Sequence, residues 1–347
     1  MAALPEPFSS FPRLSLLYPH PSPIEPLERF TASLLSEGEE TPKIWAKRED
    51  SNSGLAGGGN KIRKLEYVIP DAQAQGATVL VTTGGKQSNH MRQVAAAAAK
   101  TGMKAHLVPR DAVQPLPSTA YESIGNIQLT DLMSATRHPV STSHEQVLED
   151  LRQAGEKPYW IPSGASTHRL GGLGFARFAF ELAAQEEELG VFSDTIVVAC
   201  NSGSTLEGMI AGFKILERIT GAKRRRLIGV DTPAAPDGHL ARLVLQSANA
   251  TAELINPECC KPAFTDKDIN VDTRFNAGAY GRVDERTLAA MKLLASTDGV
   301  VTDPVYTGKA LTGLVEMMRN GELSGSENVL FVHTGGTMVL SAYPTVR

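Results

Sequence analysis

The chain has 347 residues, 41% of them apolar and 21% charged, which is enough for a large buried core and for two lobes. A net charge of −4, with a basic run only at Lys223 to Arg226, leaves no electrostatic footprint for a nucleic acid; that run reads as a solvated helix-to-strand turn. Three cysteines, Cys200 and the neighbours Cys259 and Cys260, supply neither a disulfide framework nor a C-x-x-C motif, and prolines break the N-terminal region before a leader-length apolar run forms. No stretch approaches the ~20 apolar residues of a membrane span, so the expectation is a cytoplasmic protein without membrane or nucleic-acid partners.

In chain order, short β-branched runs alternate with longer helical patterns. The runs are "KIWAKRE", "TVLVTTGG", "KAHLVP", "PYWIPSG", "DTIVVAC", "RRLIGVD" and "NVLFVHTGG", with stretches such as "SNHMRQVAAAAAKTG" and "STLEGMIAGFKILERI" between them. This alternation predicts an α/β protein with parallel-rich twisted sheets flanked by helices. Ligands in such sheets bind beyond the carboxyl ends of strands, which directs attention to "TTGGKQSN", "ACNSGST" and "VHTGGT". The acidic "AAQEEELG" reads as a solvated helix end, residues 111–120 as a proline-bearing connection, and the aperiodic 257–281 as a binding loop.

The first chemistry-bearing stretch is "NSGLAGGGNKIRKLEY". Three successive glycines, Gly57 to Gly59, imply unusual dihedrals or a close approach of the chain to something else. Lys61, just after them, could form a Schiff base, and Lys64, one turn on, could reach a phosphate; the competing reading is a solvated lysine pair. In "VVACNSGST" a strand ends at Cys200 and Ser202, Gly203, Ser204 and Thr205 open a helix, forming either an anion cradle or a plain capped turn. No Gly-Lys-[Ser/Thr] loop and no G-x-G-x-x-G after a strand is present, so a monophosphate on a compact organic body suits the cradle better than a nucleotide. "GGKQSNHMRQ" sets Ser88, Asn89 and His90 at a helix start, where a carboxylate is favoured, unless they serve only as a cap.

Seven motifs then occur in one order along nearly the whole chain: "KREDSNSGLAGGGNKIRKLEY", "GGKQSNHMRQVAA", "GGLGF", "NSGST", "VDTRF", "DPVYTGKA" and "HTGG". In this the sequence resembles the 1-aminocyclopropane-1-carboxylate deaminase and D-cysteine desulfhydrase family of pyridoxal-phosphate enzymes, of the two-domain tryptophan-synthase-β (fold type II) kind. The resemblance implies a smaller α/β domain over 62–176 and a larger cofactor-binding domain from 1–61 and 177–347, a small amino-acid substrate, and a homodimer. It implies that Lys61 holds pyridoxal 5'-phosphate as a Schiff base, that Lys64 and Ser202 to Thr205 hold the phosphate, and that Asn89 lies near the cofactor's phenolic oxygen. Ser88, Asn89 and His90 would receive the substrate carboxylate, Tyr280 and Tyr306 would face the substrate side chain, and the glycine run would pass close to the cofactor ring. No metal is implied.

Within the resemblance, ring-opening members carry glutamate after the tyrosine of the first motif and leucine after the histidine of the second. Here Thr307 and Thr334 stand instead, the desulfhydrase pattern. A neutral hydroxyl at the pyridine nitrogen supports a weaker electron sink, sufficient for β-elimination. The expectation is therefore elimination from D-cysteine or a related β-substituted D-amino acid to pyruvate, ammonia and sulfide or thiol. The alternatives are 1-aminocyclopropane-1-carboxylate deaminase and a catalytically silent binder of the cofactor or of a phosphate metabolite. "AYGRVDE" around Tyr280, and Met338 and Val339 after the last motif, further suggest a wall fitted to a bulkier amino acid or to β-replacement, while His333 and Cys200 read as structural.

Overall fold

The computed structural model describes residues 3–35, 38, 42–113, 118–258, 261 and 263–347; Cys259 and Cys260 fall outside them. The chain opens with β1 (Ile24–Pro26), α1 (Glu28–Ala32) and β2 (Lys43–Arg48). It continues through α2 (Lys61–Ala74), β3 (Val79–Gly85), α3 (Asn89–Thr101), β4 (Lys104–Arg110), α4 (Thr119–Ser123) and α5 (Asn126–Leu132). Next come β5 (Thr136–Arg137), α6 (His144–Gln153), β6 (Pro158–Ile161), α7 (Leu173–Leu189), β7 (Thr195–Cys200), α8 (Ser204–Thr220) and β8 (Arg226–Asp231). The chain closes with α9 (His239–Ile255), β9 (Val271–Asp272), α10 (Glu285–Asp298), α11 (Thr307–Arg319) and β10 (Asn328–His333).

All seven apolar runs are strands, and they form two sheets. One has the order β1-β2-β10-β7-β8-β9 and the other β5-β4-β3-β6. Every pairing is parallel except β1 with β2. The smaller sheet draws all its strands from residues 79–161, whereas the larger takes strands from both ends of the chain. Side chains alternate across each strand with period two. Ile196, Val198, Leu330 and Val332 therefore join the core under α7 and α8, while Val197, Val329 and Phe331 face Leu311 and Leu314 of α11. The sequence reading lacked β1, β5 and β9, because two or three residues carry no periodicity.

Two charged runs behave differently from expectation. Glu186 of the acidic run is buried, and Arg225 of the basic run reaches it at 2.6 Å with its side chain only 5% exposed, lying over the Phe192 and Phe213 rings. Neither run is a purely solvated face, since a paired charge is the form in which an ion can be buried. Among the described residues no helix is long and apolar enough to cross a membrane.

Candidate active site

A cavity of about 400 Å³ opens where the carboxyl ends of the strands of both sheets converge. The chain after β2 sets one wall. There Gly57, Gly58 and Gly59 adopt φ of 76°, 63° and 116°, in the region L side chains avoid. A Cβ on Gly58 would stand 2.8 Å from the Asp50 carbonyl oxygen, and Asn52 Oδ1 accepts the Gly59 N–H at 3.0 Å. The run packs against protein and is itself absent from the cavity lining. Its tightness delivers Asn60 and Lys61 to the wall instead.

Lys61, the first residue of α2, lines the cavity. Burial lowers its ammonium to about 8, partly opposed by a hydrogen bond with Lys64. A lysine so shifted supplies a neutral amine readily, which suits imine formation. Lys64 is buried behind it and does not line the cavity; it donates to Ser204 Oγ and, at 3.3 Å, to the Gly164 carbonyl. Burial and the neighbouring Lys61 hold Lys64 well below the usual lysine range. Lys64 and Ser204, which the resemblance gives to the phosphate, are thus joined to each other just behind the wall.

Opposite lies the start of α8. Its N-cap, Gly203, has φ 91° and lends no side-chain cap, leaving the first N–H groups of the helix free of one. Ser202, Gly203 and Thr205 line the cavity, and Thr205 Oγ1 accepts from Asn60 Nδ2 at 3.0 Å, joining the cradle to the Lys61 loop. Convergent N–H donors, hydroxyls, the half-buried Lys61 amine and the buried Lys64 amine form a donor set that fits a phosphate dianion.

The start of α3 makes the third side. Ser88 caps the helix, its Oγ accepting from Met91 N at 3.2 Å, and Ser88, Asn89 and His90 all line the cavity. His90 is held well below the usual imidazole range by burial and by Lys61 and Lys64, with Nε2 3.0 Å from Thr82 Oγ1. A neutral imidazole brings no charge to a carboxylate, so what His90 can offer one is its N–H at the helix start.

Tyr280 and Tyr306 meet hydroxyl to hydroxyl in the wall. Burial raises both phenols, Tyr306 far above its usual range, so the pair stays neutral and can donate. Thr334 lines the cavity, but Thr307 does not. Its Oγ1 donates to Asp303 Oδ1 at 2.6 Å and accepts from Asp303 N at 2.8 Å, because the Asp303 carboxylate caps the start of α11. Met338 and Val339 are likewise absent from the lining; Val339 packs in a cluster with Tyr121 and Tyr343. His333 is structural as expected, its Nε2 2.9 Å from the Val301 carbonyl.

Sequence reasoning missed Arg110, Asp111, Ser163, Gly164 and Pro233 in the lining, and Cys200 is both buried and part of it. Most of these follow a strand, the one signal that could have found them. It also missed Lys309, which donates to Ala279 O at 2.8 Å and so anchors the loop bearing Tyr280. Among the described residues no group of three or more His, Cys, Asp or Glu could hold a metal ion.

The family described as pyridoxal-phosphate dependent enzyme matches residues 16–335. A 1-aminocyclopropane-1-carboxylate deaminase of Burkholderia vietnamiensis is 45% identical over 344 residues, covering 97% of each chain. A probable 1-aminocyclopropane-1-carboxylate deaminase of Cryptococcus neoformans is 42% identical over 344 residues, 96% of this chain and 95% of that one. A solved ACC deaminase homologue superposes with TM-score 0.82 at 31% identity over 98% of both chains. A hydrogen sulfide-producing enzyme from Fusobacterium nucleatum, with TM-score 0.58 at 15% identity over 96% of this chain and 99% of that one, shares the fold.

Proposed function

The chain belongs to the pyridoxal-phosphate-dependent enzymes, and from that premise we propose that it deaminates 1-aminocyclopropane-1-carboxylate or a close small amino acid, giving 2-oxobutyrate and ammonia from the cyclopropane substrate. Full-length identity of 45% to a deaminase of that name supports the substrate. The observation that carries the reading is Lys61, a cavity lysine brought to about 8, facing a phosphate-fitting helix start on one side and a carboxylate-fitting one on the other. Lys61, Ser202, Gly203 and Thr205 would hold pyridoxal phosphate, with Lys64 and Ser204 supporting them from behind. Bound there, the cofactor supplies an electron-withdrawing ring that takes up the electron pair freed when a bond of the substrate breaks.

The chain's own groups supply the rest. Ser88 Oγ and the N–H groups opening α3 orient the substrate carboxylate, charge-assisted contacts that fix which substrate bond is aligned with the ring. Lys61 Nζ, with its lowered proton affinity, takes and returns a proton near neutral pH. The Tyr280 and Tyr306 hydroxyls, kept neutral by burial, donate to the carbon side chain's surroundings and exclude water.

The neutrality that favoured elimination is also weakened. Thr307 is turned away from the cavity to the buried Asp303 side chain, so it lends the elimination reading no hydroxyl in the wall. A second reading, β-elimination from D-cysteine, keeps one specific support: Thr334, a neutral hydroxyl in the wall. The purified protein decides between them when offered each substrate. Release of 2-oxobutyrate from the cyclopropane acid is the expected result; sulfide and pyruvate from D-cysteine, with no ring opening, would establish the second reading instead.

A further inference from the structure

Arg92 lies one turn past Asn89 on α3, on the same helix face, and is fully buried. A buried cation ordinarily has a counter-ion. Arg92 has no acidic partner among the described residues; its donors reach only neutral acceptors. Nε donates to Asn126 Oδ1 at 2.7 Å, Nη2 to Asn89 Oδ1 at 3.5 Å, and the guanidinium also meets the carbonyls of Ala56 and Gly58. Burial brings it to about 10, which still leaves it charged at neutral pH.

What that charge acts on follows from the amides around it. Asn126 Nδ2 donates to the Gln87 carbonyl and to Asn89 Oδ1, both at 2.8 Å, and Asn126 N donates to Gln87 Oε1 at 2.9 Å. These bonds fix which way the Asn126 amide faces. Asn89 Oδ1 consequently takes donors from both Arg92 and Asn126, so its Nδ2 must turn the other way. There it lies beside Gly336, where an added Cβ would come 3.0 Å from it and 2.8 Å from Asp303 Oδ1, next to the Thr334 and Gly335 that line the cavity.

We propose that Arg92 and Asn126 form an orienting relay that presents Asn89 Nδ2 as a fixed donor to an anionic oxygen of the bound cofactor, with the buried guanidinium providing a positive field at that oxygen. Arg92 and Asn126 are positioning residues, acting through Asn89. The relay rests on the pyridoxal-phosphate reading of the cavity. The other charged or titratable groups at this corner are Lys61 and Lys64 from α2, His90 from α3 and Asp303 from the stretch before α11. None of them neutralises Arg92.

A buried positive charge lowers the proton affinity of any group near it. The test is therefore the pH midpoint of the visible absorption band after loading with pyridoxal phosphate, read alongside thermal unfolding. Arg92→Gln removes the charge and should raise the midpoint by about one pH unit. Asn126→Asp sets a carboxylate against the guanidinium and keeps an acceptor for its Nε, so it should shift the midpoint the same way even if the first variant folds poorly. A band whose midpoint stays at the wild-type value in the folded variants overturns the relay alone. A wild-type protein that develops no visible band overturns the cofactor reading and the relay with it.

Discussion

At the scale of single residues, the site depends on what burial does to a few groups. Lys61 is lowered to about 8, so its neutral fraction grows as pH rises toward that value and saturates above it. The rate of cofactor attachment, followed by visible absorbance, should rise through neutral pH and level off above about 8. Borohydride reduction followed by peptide mass spectrometry should locate the cofactor on Lys61, and Lys61→Ala should abolish that adduct. Ser88→Ala removes the donor proposed for the substrate carboxylate, a loss of about 1.5–3 kcal/mol, so KM should rise roughly tenfold or more while the cofactor band persists. An unchanged KM would remove Ser88 from the substrate side. Lys61 and Ser88 were legible in the cavity lining because helix starts mark where side chains can reach a ligand, whereas Tyr280, Tyr306 and Thr334 were named only through the family resemblance. Thr307, Lys64 and Ser204, which the resemblance gives to the cofactor, lie outside the cavity lining, because sequence order does not say whether a hydroxyl or amine turns toward a cavity or toward its neighbours.

At the scale of elements, the start of α8 is what the proposed phosphate site rests on. Gly203 holds φ 91°, which costs an L residue about 1–2 kcal/mol, and a Cβ there would come 3.2 Å from Val244 Cγ2 on α9. Gly203→Ala should therefore shift the first turn and weaken pyridoxal-phosphate affinity by about tenfold, with little change in helix content by circular dichroism. Affinity equal to wild type would show that the first turn tolerates the strain and that its position is not critical. The helices and the seven principal strands could be read from alternation and caps, such as Ser88 before α3 and the αL glycine Gly102 after it.

Across the whole molecule, one ion network ties β2 and the turn after it to α2 and α7. Arg63 of α2 donates to Glu49 at 2.6 Å and 2.7 Å and to Glu181 of α7 at 2.8 Å, and Lys47 of β2 reaches Glu181 at 3.0 Å. Arg63→Ala would leave the buried Glu49 carboxylate without its ion-pair partner and Glu181 with Lys47 alone, and about 3–5 kcal/mol of stability should be lost in denaturant unfolding. Burial pushes Glu181 up, but Arg63 and Lys47 outweigh it and leave it at about 2. Its folded value lies below the ordinary 4.5, so its stabilising contribution is present above that value and is lost as pH falls from there toward 2. Acid titration of thermal stability should show this fall in the wild type and a smaller one in Glu181→Gln. A curve of equal steepness in both would show that other carboxylates govern acid unfolding.

The sequence alone determined the α/β architecture, the parallel sheets and the stretches that bear chemistry, since these rest on local periodicity, caps and the requirement that strand ends carry the ligand contacts. Tertiary structure decided what each polar group faces. It turned Thr307 to Asp303, placed Lys64 behind the cradle, left Arg92 a buried cation among amides, and brought Arg110 and Asp111 to the cavity. Such choices depend on contacts between residues far apart in sequence, where burial and hydrogen-bond satisfaction are settled only once both sheets are assembled.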